Sequence, residues 1–172
     1  NARKGLSAGG DLAARQVDLQ ALMKDVADYD RLAAKADLTA KFLASGNSVN
    51  ALMHSLSGSG SVRTGAGEII GFDLAGMLKT LDTSYRGSGN KTVFNAITAT
   101  YAIKDGVLSN DDLLLESPIV DATGAGQVDL GAQKMTYRVN VMADHSKVVN
   151  GSGGGIILPV LIEGPWASLS YK

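Results

Sequence analysis

His54 and His145 are the only imidazoles in the chain, and so the only histidine bases that could activate a serine or threonine nucleophile. His54 stands on an expected helix beside Leu52, Met53 and Leu56, and His145 lies in the polar turn Asp144-His145-Ser146-Lys147. No serine occupies a nucleophile elbow, which leaves both histidines on a helix edge or a surface. The Gly-x-Gly pairs at 58–60, 65–67 and 124–126 invite a phosphate cradle of backbone N–H groups. Each leads into strand-like residues and none is followed by Gly-Lys-Ser/Thr, so bulges or bends in a curved sheet explain them better. Asp105, Asp111, Asp112 and Glu116 cluster, but their spacing breaks the calcium-loop pattern. The chain has no cysteine, which removes thiolate zinc sites, disulfides and a cysteine nucleophile. No catalytic, cofactor-binding or metal-ligating residue is assigned, and the chain is expected not to be an enzyme. Asn90-Lys91-Thr92 and Asn150-Gly151-Ser152 match the glycosylation sequon, a pattern that chance often produces.

The elements that would position any site are read from periodicity. Val17, Leu19, Leu22, Met23 and Val26 recur at helical spacing after Asp18, predicting a helix over residues 18–28 with an aspartate cap. From Leu32 the period becomes two, with Leu32, Ala34, Ala36, Leu38, Ala40, Phe42 and Ala44 on one face. Lys35, Asp37, Thr39, Lys41 and Ser45 take the other, giving one long strand with a wet side. Ser48 caps a second helix that stops at Gly58, and Asp73 a third over residues 73–81. Residues 94–104 alternate again, and Asp105-Gly106 signals a hairpin. Strands are expected at 107–109, 112–116, 119–123, 127–130, 135–142, 156–162 and 166–171, and a mobile loop at 150–155. Two stretches echo each other: Asp-Leu-Gln-Ala-Leu-Met-Lys at 18–24 with Asp-Leu-Ala-Gly-Met-Leu-Lys at 73–79, and Thr-Gly-Ala-Gly-Glu-Ile at 64–69 with Thr-Gly-Ala-Gly-Gln-Val at 123–128.

Short connections favour an α+β fold, a curved, mainly antiparallel sheet with two or three short helices packed on part of one face. The 172 residues suit one domain, assigned to 17–172, after a disordered or extended leader at 1–16. Sixteen basic against seventeen acidic residues, a formal net charge of -1, disfavour a nucleic-acid partner. The chain opens on polar residues without an initiator Met or an apolar run near the ~18 residues of a membrane span, and is expected to be a soluble piece of a longer protein. Eight strands about 4.8 Å apart and about 30 Å long give a face of roughly 1,100 Å². Three helices of about 15 Å by 10 Å shield only about 450 Å². The remainder must be covered by the sheet curling, by neighbouring chain, by another copy or by an apolar ligand.

The order of these signals resembles the carboxy-terminal region of the AsmA family of bacterial envelope proteins. The resemblance is carried by Leu-Gln-Ala-Leu-Met-Lys-Asp at 19–25, Arg-Leu-Ala-Ala-Lys-Ala-Asp-Leu-Thr-Ala at 31–40 and Ser-Val-Asn-Ala-Leu-Met-His-Ser-Leu-Ser-Gly-Ser-Gly-Ser-Val at 48–62. It continues through Gly-Glu-Ile-Ile-Gly-Phe-Asp-Leu at 67–74, residues 101–107 and 123–130, and the stretch 159–166. It implies the periplasmic end of a protein anchored in the inner membrane by a segment outside this sequence, with a role in outer-membrane biogenesis and lipid homeostasis and no catalytic residues. Larger relatives of the TamB type look like sheets folded into a greasy trough that bridges membranes. Together with the unshielded apolar area, this makes phospholipid or another acyl-chain lipid the expected partner, sheltered or passed along an apolar groove. The candidate contacts are Leu32, Leu38, Phe42, Ile97, Tyr101 and Ile103, on the apolar sides of the two longest alternating strands. The alternative is a structural module that docks outer-membrane assembly proteins or the parent chain by strand addition, with residues 166–171 as the edge.

Overall fold

The computed structural model describes residues 6–83, 91–143 and 157–172. His145, both sequon asparagines and the loop at 150–155 lie outside them. Nine antiparallel strands form one sheet: β1 (Leu6–Asp18), β3 (Lys35–Gly46), β4 (Ser57–Thr64), β7 (Ala96–Lys104), β8 (Val107–Glu116), β9 (Val120–Asp129), β10 (Lys134–Ala143), β11 (Ile157–Pro165) and β12 (Ser170–Tyr171), in that spatial order. A second sheet has the order β2 (Leu32–Ala33), β5 (Gly67–Ile70), β6 (Lys91–Phe94). Three short helices complete the fold, α1 (Leu19–Ala27), α2 (Val49–Ser55) and α3 (Leu74–Thr80). This is the expected α+β architecture, a curved, open, mainly antiparallel sheet with helices on part of one face.

Local chemistry sets the joints. Asp18, Ser48 and Asp73 cap the helices by accepting from the backbone N–H of Ala21, Ala51 and Gly76 at 3.2, 3.1 and 2.8 Å. Asp105 and Gly106 both take positive φ, 50° and 78°, the pairing a two-residue hairpin turn of the primed type requires.

The long strand expected over 32–45 breaks at Ala34, and that over 94–104 breaks at Asn95. These breaks line up with Gly65-Ala66 between β4 and β5. The short strands β2, β5 and β6 therefore continue β3, β4 and β7 in the same order and pairing, past a crease that crosses all three. Straight continuations could not reach the far side of the large sheet. Instead Phe94 of β6, with Leu74 and Met77 of α3, shares one apolar cluster with Leu115, Val120, Ala122, Val141, Leu158 and Val160 of β8 to β11, while Leu32 and Ile69 pack against its edge. The ends of three strands are thus folded over the apolar face and supply the cover that the helices lack.

Thr64 stitches the crease: its Oγ1 accepts the Ile97 N–H at 2.9 Å and donates to the Gly65 carbonyl at 2.9 Å, while the Gly65 N–H reaches the Lys35 carbonyl at 3.2 Å. At the same line, a side chain on Gly67 would meet the Ala34 Cβ at 2.7 Å and the Phe94 ring at 2.9 Å. The first sequence echo has a counterpart here, since α1-β2-β3 and α3-β6-β7 are both helix, short strand, crease, long strand. The second has none: Thr-Gly-Ala-Gly bends at 64–67 but runs straight inside β9 at 123–126.

Several expected strands merge or shorten. Residues 107–109 and 112–116 form one strand, β8, with a bulge between Asn110 and Leu113, and 119–123 joins 127–130 in β9. Residues 166–169 turn instead of extending, because Gly164 takes φ 118° and the Ser168 N–H folds back to the Pro165 carbonyl at 2.9 Å, leaving only Ser170 and Tyr171 as strand. Ser57–Thr64, unassigned from sequence because it alternates glycine and serine, is a central strand paired on both sides. Leu6–Asp18 is a thirteen-residue strand on the sheet edge, so the 16/17 division falls inside β1.

Phe94 is fully buried. Phe94→Ala is expected to lower unfolding free energy by about 3–5 kcal/mol in urea denaturation. Thr64→Val, which strands the buried Ile97 N–H, should cost about 1–3 kcal/mol, with Thr64→Ser recovering most of it. A loss under 1 kcal/mol for Phe94→Ala would mean that the folded-over sheet is not docked.

Candidate functional site

Strand register places the apolar residues of the large sheet in rows that cross the strands. The row beside the crease, Ala36, Thr64, Ile97, Leu115, Ala122, Val141 and Leu158, is buried. Two rows further from the crease, Tyr101, Asn110, Tyr137 and Ile162 are half-buried. The outermost row pairs Phe42 with Gly58, Gly58 with Ile103, Ile103 with Leu108, Leu108 with Val128 and Val128 with Met135. Four of these side chains are half-buried, and Phe42 is 39% exposed. Burial therefore declines across one apolar face from the crease to this row, and rises again beyond it on β3, where Ala44 is buried next to α2. The opposite face carries Lys35, Asp37, Thr39 and Lys41 on β3 alone, all exposed.

Two tyrosines lie flat in the second of these rows. A side chain on Gly60 would collide with the Tyr101 hydroxyl, whose O–H donates to the Thr39 carbonyl at 2.9 Å. Tyr137 covers Gly124 and Gly126, with ring atoms 2.7 Å from where either Cβ would stand, and donates to the Asn110 Oδ1. Of the six glycines read from sequence as bulge or phosphate-cradle candidates, Gly60, Gly124 and Gly126 are thus floors for aromatic rings, while Gly65 and Gly67 stand at the crease, a bend as expected. The Asn110 side-chain N–H donates to the Thr100 carbonyl at 2.7 Å and to Asp112 at 2.8 Å, while Asp112 accepts the Thr100 hydroxyl at 2.5 Å and its N–H at 2.8 Å. These side-chain bonds replace the ladder bonds lost at the β8 bulge. The Thr100 hydroxyl and then its N–H hold the Asp112 carboxyl below the usual range. Burial, and then the nearby Asp112 charge, push the Tyr137 phenol up to about 12, and burial also raises Tyr101.

Of the six candidate contacts, Leu38, Phe42, Tyr101 and Ile103 share the open part of the face. Ile97 is buried in the core, and Leu32 packs at its margin from the second sheet, because the crease carries both into the covered region. Leu108, Val128, Met135 and Tyr137 complete the open rows and were not singled out from sequence. Their alternation was visible; the register that aligns them with Ile103 and Tyr101 was not. His54 Nδ1 lies 2.7 Å from the Asn50 carbonyl, and its ring packs where a Gly131 side chain would stand, so it braces α2 against the turn between β9 and β10. Among the described residues no group of three His, Cys, Asp or Glu is placed to hold a metal ion, and no helix is long and apolar enough to cross a membrane.

Comparison with known families gives a match over residues 10–113 to the AsmA family. That span covers more than half of the chain and runs from β1 into β8. No curated protein and no solved structure matches it significantly.

The raised Tyr137 phenol has a defined pH signature. Below pH 10 both the folded and the unfolded chain keep this proton, so the contribution to stability is fully present. Between pH 10 and about 12 the unfolded chain ionises and the folded site does not, so stability falls as pH rises. Tyr137→Phe should remove a phenol that titrates at about 12 in an ultraviolet titration and lessen that fall in denaturant midpoints. An unchanged titration curve would contradict the assignment.

Proposed function

Because this chain belongs to the AsmA family, we propose that it is a non-enzymatic lipid-handling segment of a bacterial envelope protein that serves outer-membrane biogenesis. Its open apolar rows shelter or pass acyl chains. The observation that carries this reading is the outermost row, Phe42, Ile103, Leu108, Val128 and Met135, which register aligns across six strands and no described residue buries fully. Five strand spacings make it about 24 Å long. An acyl chain spans about half of a ~30 Å hydrocarbon core, so the row exceeds one chain. Each methylene laid against it gains about 0.8 kcal/mol without needing a directional partner, which permits sliding. The Tyr–Gly floors suit the same task, since rings lying flat leave few protrusions. A periplasmic setting, with the parent protein anchored in the inner membrane, follows from the same reading.

A fluorescent acyl probe should bind the purified chain, and Ile103→Asn or Leu108→Asn should weaken it at least fivefold, about 1 kcal/mol, while leaving the thermal midpoint within a few degrees. Binding unchanged in both variants, or absent in the parent chain, would overturn the proposal.

A second reading draws on the edge of β1. Its thirteen residues pair with β3 on one side and with no described strand on the other, the geometry to which an extended segment adds. Photocrosslinkers at Ser7 and Gly9 would then yield protein adducts in cells, whereas crosslinkers at Leu108 would yield lipid adducts under the first reading. Lipid adducts alone, from both places, would remove the docking role.

A further inference from the structure

An open cleft of about 690 Å³ lies where the loop after α1 meets the turn between β11 and β12. Three half-buried aromatic side chains, Tyr29, Trp166 and Tyr171, line it. Exposed charges of both signs complete the lining: Lys24 and Arg31 against Asp25 and Asp28. None of the four forms an ion pair with a described residue. The aromatic side is fixed. Tyr171 meets Phe72 edge to face with centroids 4.8 Å apart, and the backbone N–H of Trp166, not its indole, donates to the Gln133 carbonyl at 3.1 Å. Burial, and then the neighbouring Tyr171 hydroxyl, push the Tyr29 phenol up. Arg31 is held by its backbone carbonyl, which accepts the Ile70 N–H at 2.7 Å, and its guanidinium lies over Gly71.

Aromatic faces attract an alkylammonium group, and carboxylates beside them strengthen that attraction. A guanidinium with a nearby lysine is the usual partner of a phosphate. A ligand carrying one phosphate and one ammonium group a few bonds apart would satisfy both halves at once. We propose that this cleft binds the zwitterionic head group of a phospholipid, with phosphate toward Arg31 and Lys24 and ammonium toward Trp166, Asp25 and Asp28. The inference rests on the lipid-handling reading and extends it from the chain to the head. The two places are joined: Tyr171, in the cleft wall, pairs with Ile162, which pairs with Tyr137, so one cross-strand row runs from the cleft onto the open apolar face. The head is therefore held at the end of the row next to the outermost one, along which the acyl chains lie.

Trp166 is the only tryptophan in the chain, so its emission reports the cleft directly. The 172-residue chain would be titrated with vesicles of phosphatidylethanolamine, vesicles of phosphatidylglycerol, and soluble phosphoethanolamine. A formal net charge of -1 gives no bulk attraction to the anionic lipid. The expected result is a saturable emission change with phosphatidylethanolamine, at least fivefold weaker with phosphatidylglycerol. Arg31→Gln should weaken phosphatidylethanolamine binding at least fivefold. Asp25→Asn with Asp28→Asn should abolish the preference between the two lipids; Asp28 takes a left-handed φ of 51°, which asparagine also accepts, so the fold survives the change. Equal affinity for both lipids, or indifference to these substitutions, would overturn the proposal. So would soluble phosphoethanolamine binding as tightly as the vesicles, which would make the ligand a free phosphate ester. If Trp166 stays silent while an acyl probe still fills the rows, the head-group site falls and the lipid-handling reading stands. Refusal of the acyl probe as well would bring down both.

Discussion

One face of a nine-stranded antiparallel sheet must be kept from water, and three helices of seven to nine residues are too short to do it. That mismatch governs the rest of the molecule. The crease at Ala34, Gly65-Ala66 and Asn95 offsets it in part, by turning the ends of β3, β4 and β7 back as a second sheet over β8 to β11. Hydrophobic burial drives the fold-over, and the bond from the Ile97 N–H to Thr64 keeps the bend from leaving a buried donor unpaired. The cover ends before the apolar face does.

What lies beyond the cover has its own construction. Tyr101 and Tyr137 replace bulk over Gly60, Gly124 and Gly126, and the bulge in β8 is closed by Asp112 and Asn110 instead of by the backbone ladder. The sheet stays continuous where its hydrogen bonding is locally irregular, and its apolar surface stays smooth. A surface of this kind selects for area and shape more than for functional groups, which suits acyl chains. Charge and aromatic rings gather instead in the cleft around Trp166. The open apolar rows and the charged, aromatic cleft are two adjoining places joined by one row of side chains.

Much of this was legible in the chain. Period-two alternation assigned most of the long strands and the wet and apolar sides of β3, aspartate and serine marked three helix starts, and Asp105-Gly106 marked its turn. The family was also readable, from the order of short signatures and not from any one of them. The central strand β4 was hidden because glycine and serine carry no alternating contrast, and a strand held by ladders on both flanks does not need one. Position on the face was half legible: Leu38, Phe42, Tyr101 and Ile103 lie on its open part as alternation placed them, while Leu32 and Ile97 obey the same alternation and are carried by the bend into the covered region.

The sequence by itself determined which side of each alternating strand is apolar and where helices begin, because those depend on neighbours two to four residues away. Tertiary structure decided where the strands bend. The same Thr-Gly-Ala-Gly tetrapeptide is a crease at 64–67 and straight strand at 123–126. At the first, Thr64 takes the Ile97 N–H and the chain beyond gains a core to pack on. At the second, Tyr137 lies across both glycines and strands pair on both flanks, so straight backbone is favoured. Glycine permits either conformation, and contacts from residues distant in the chain select between them.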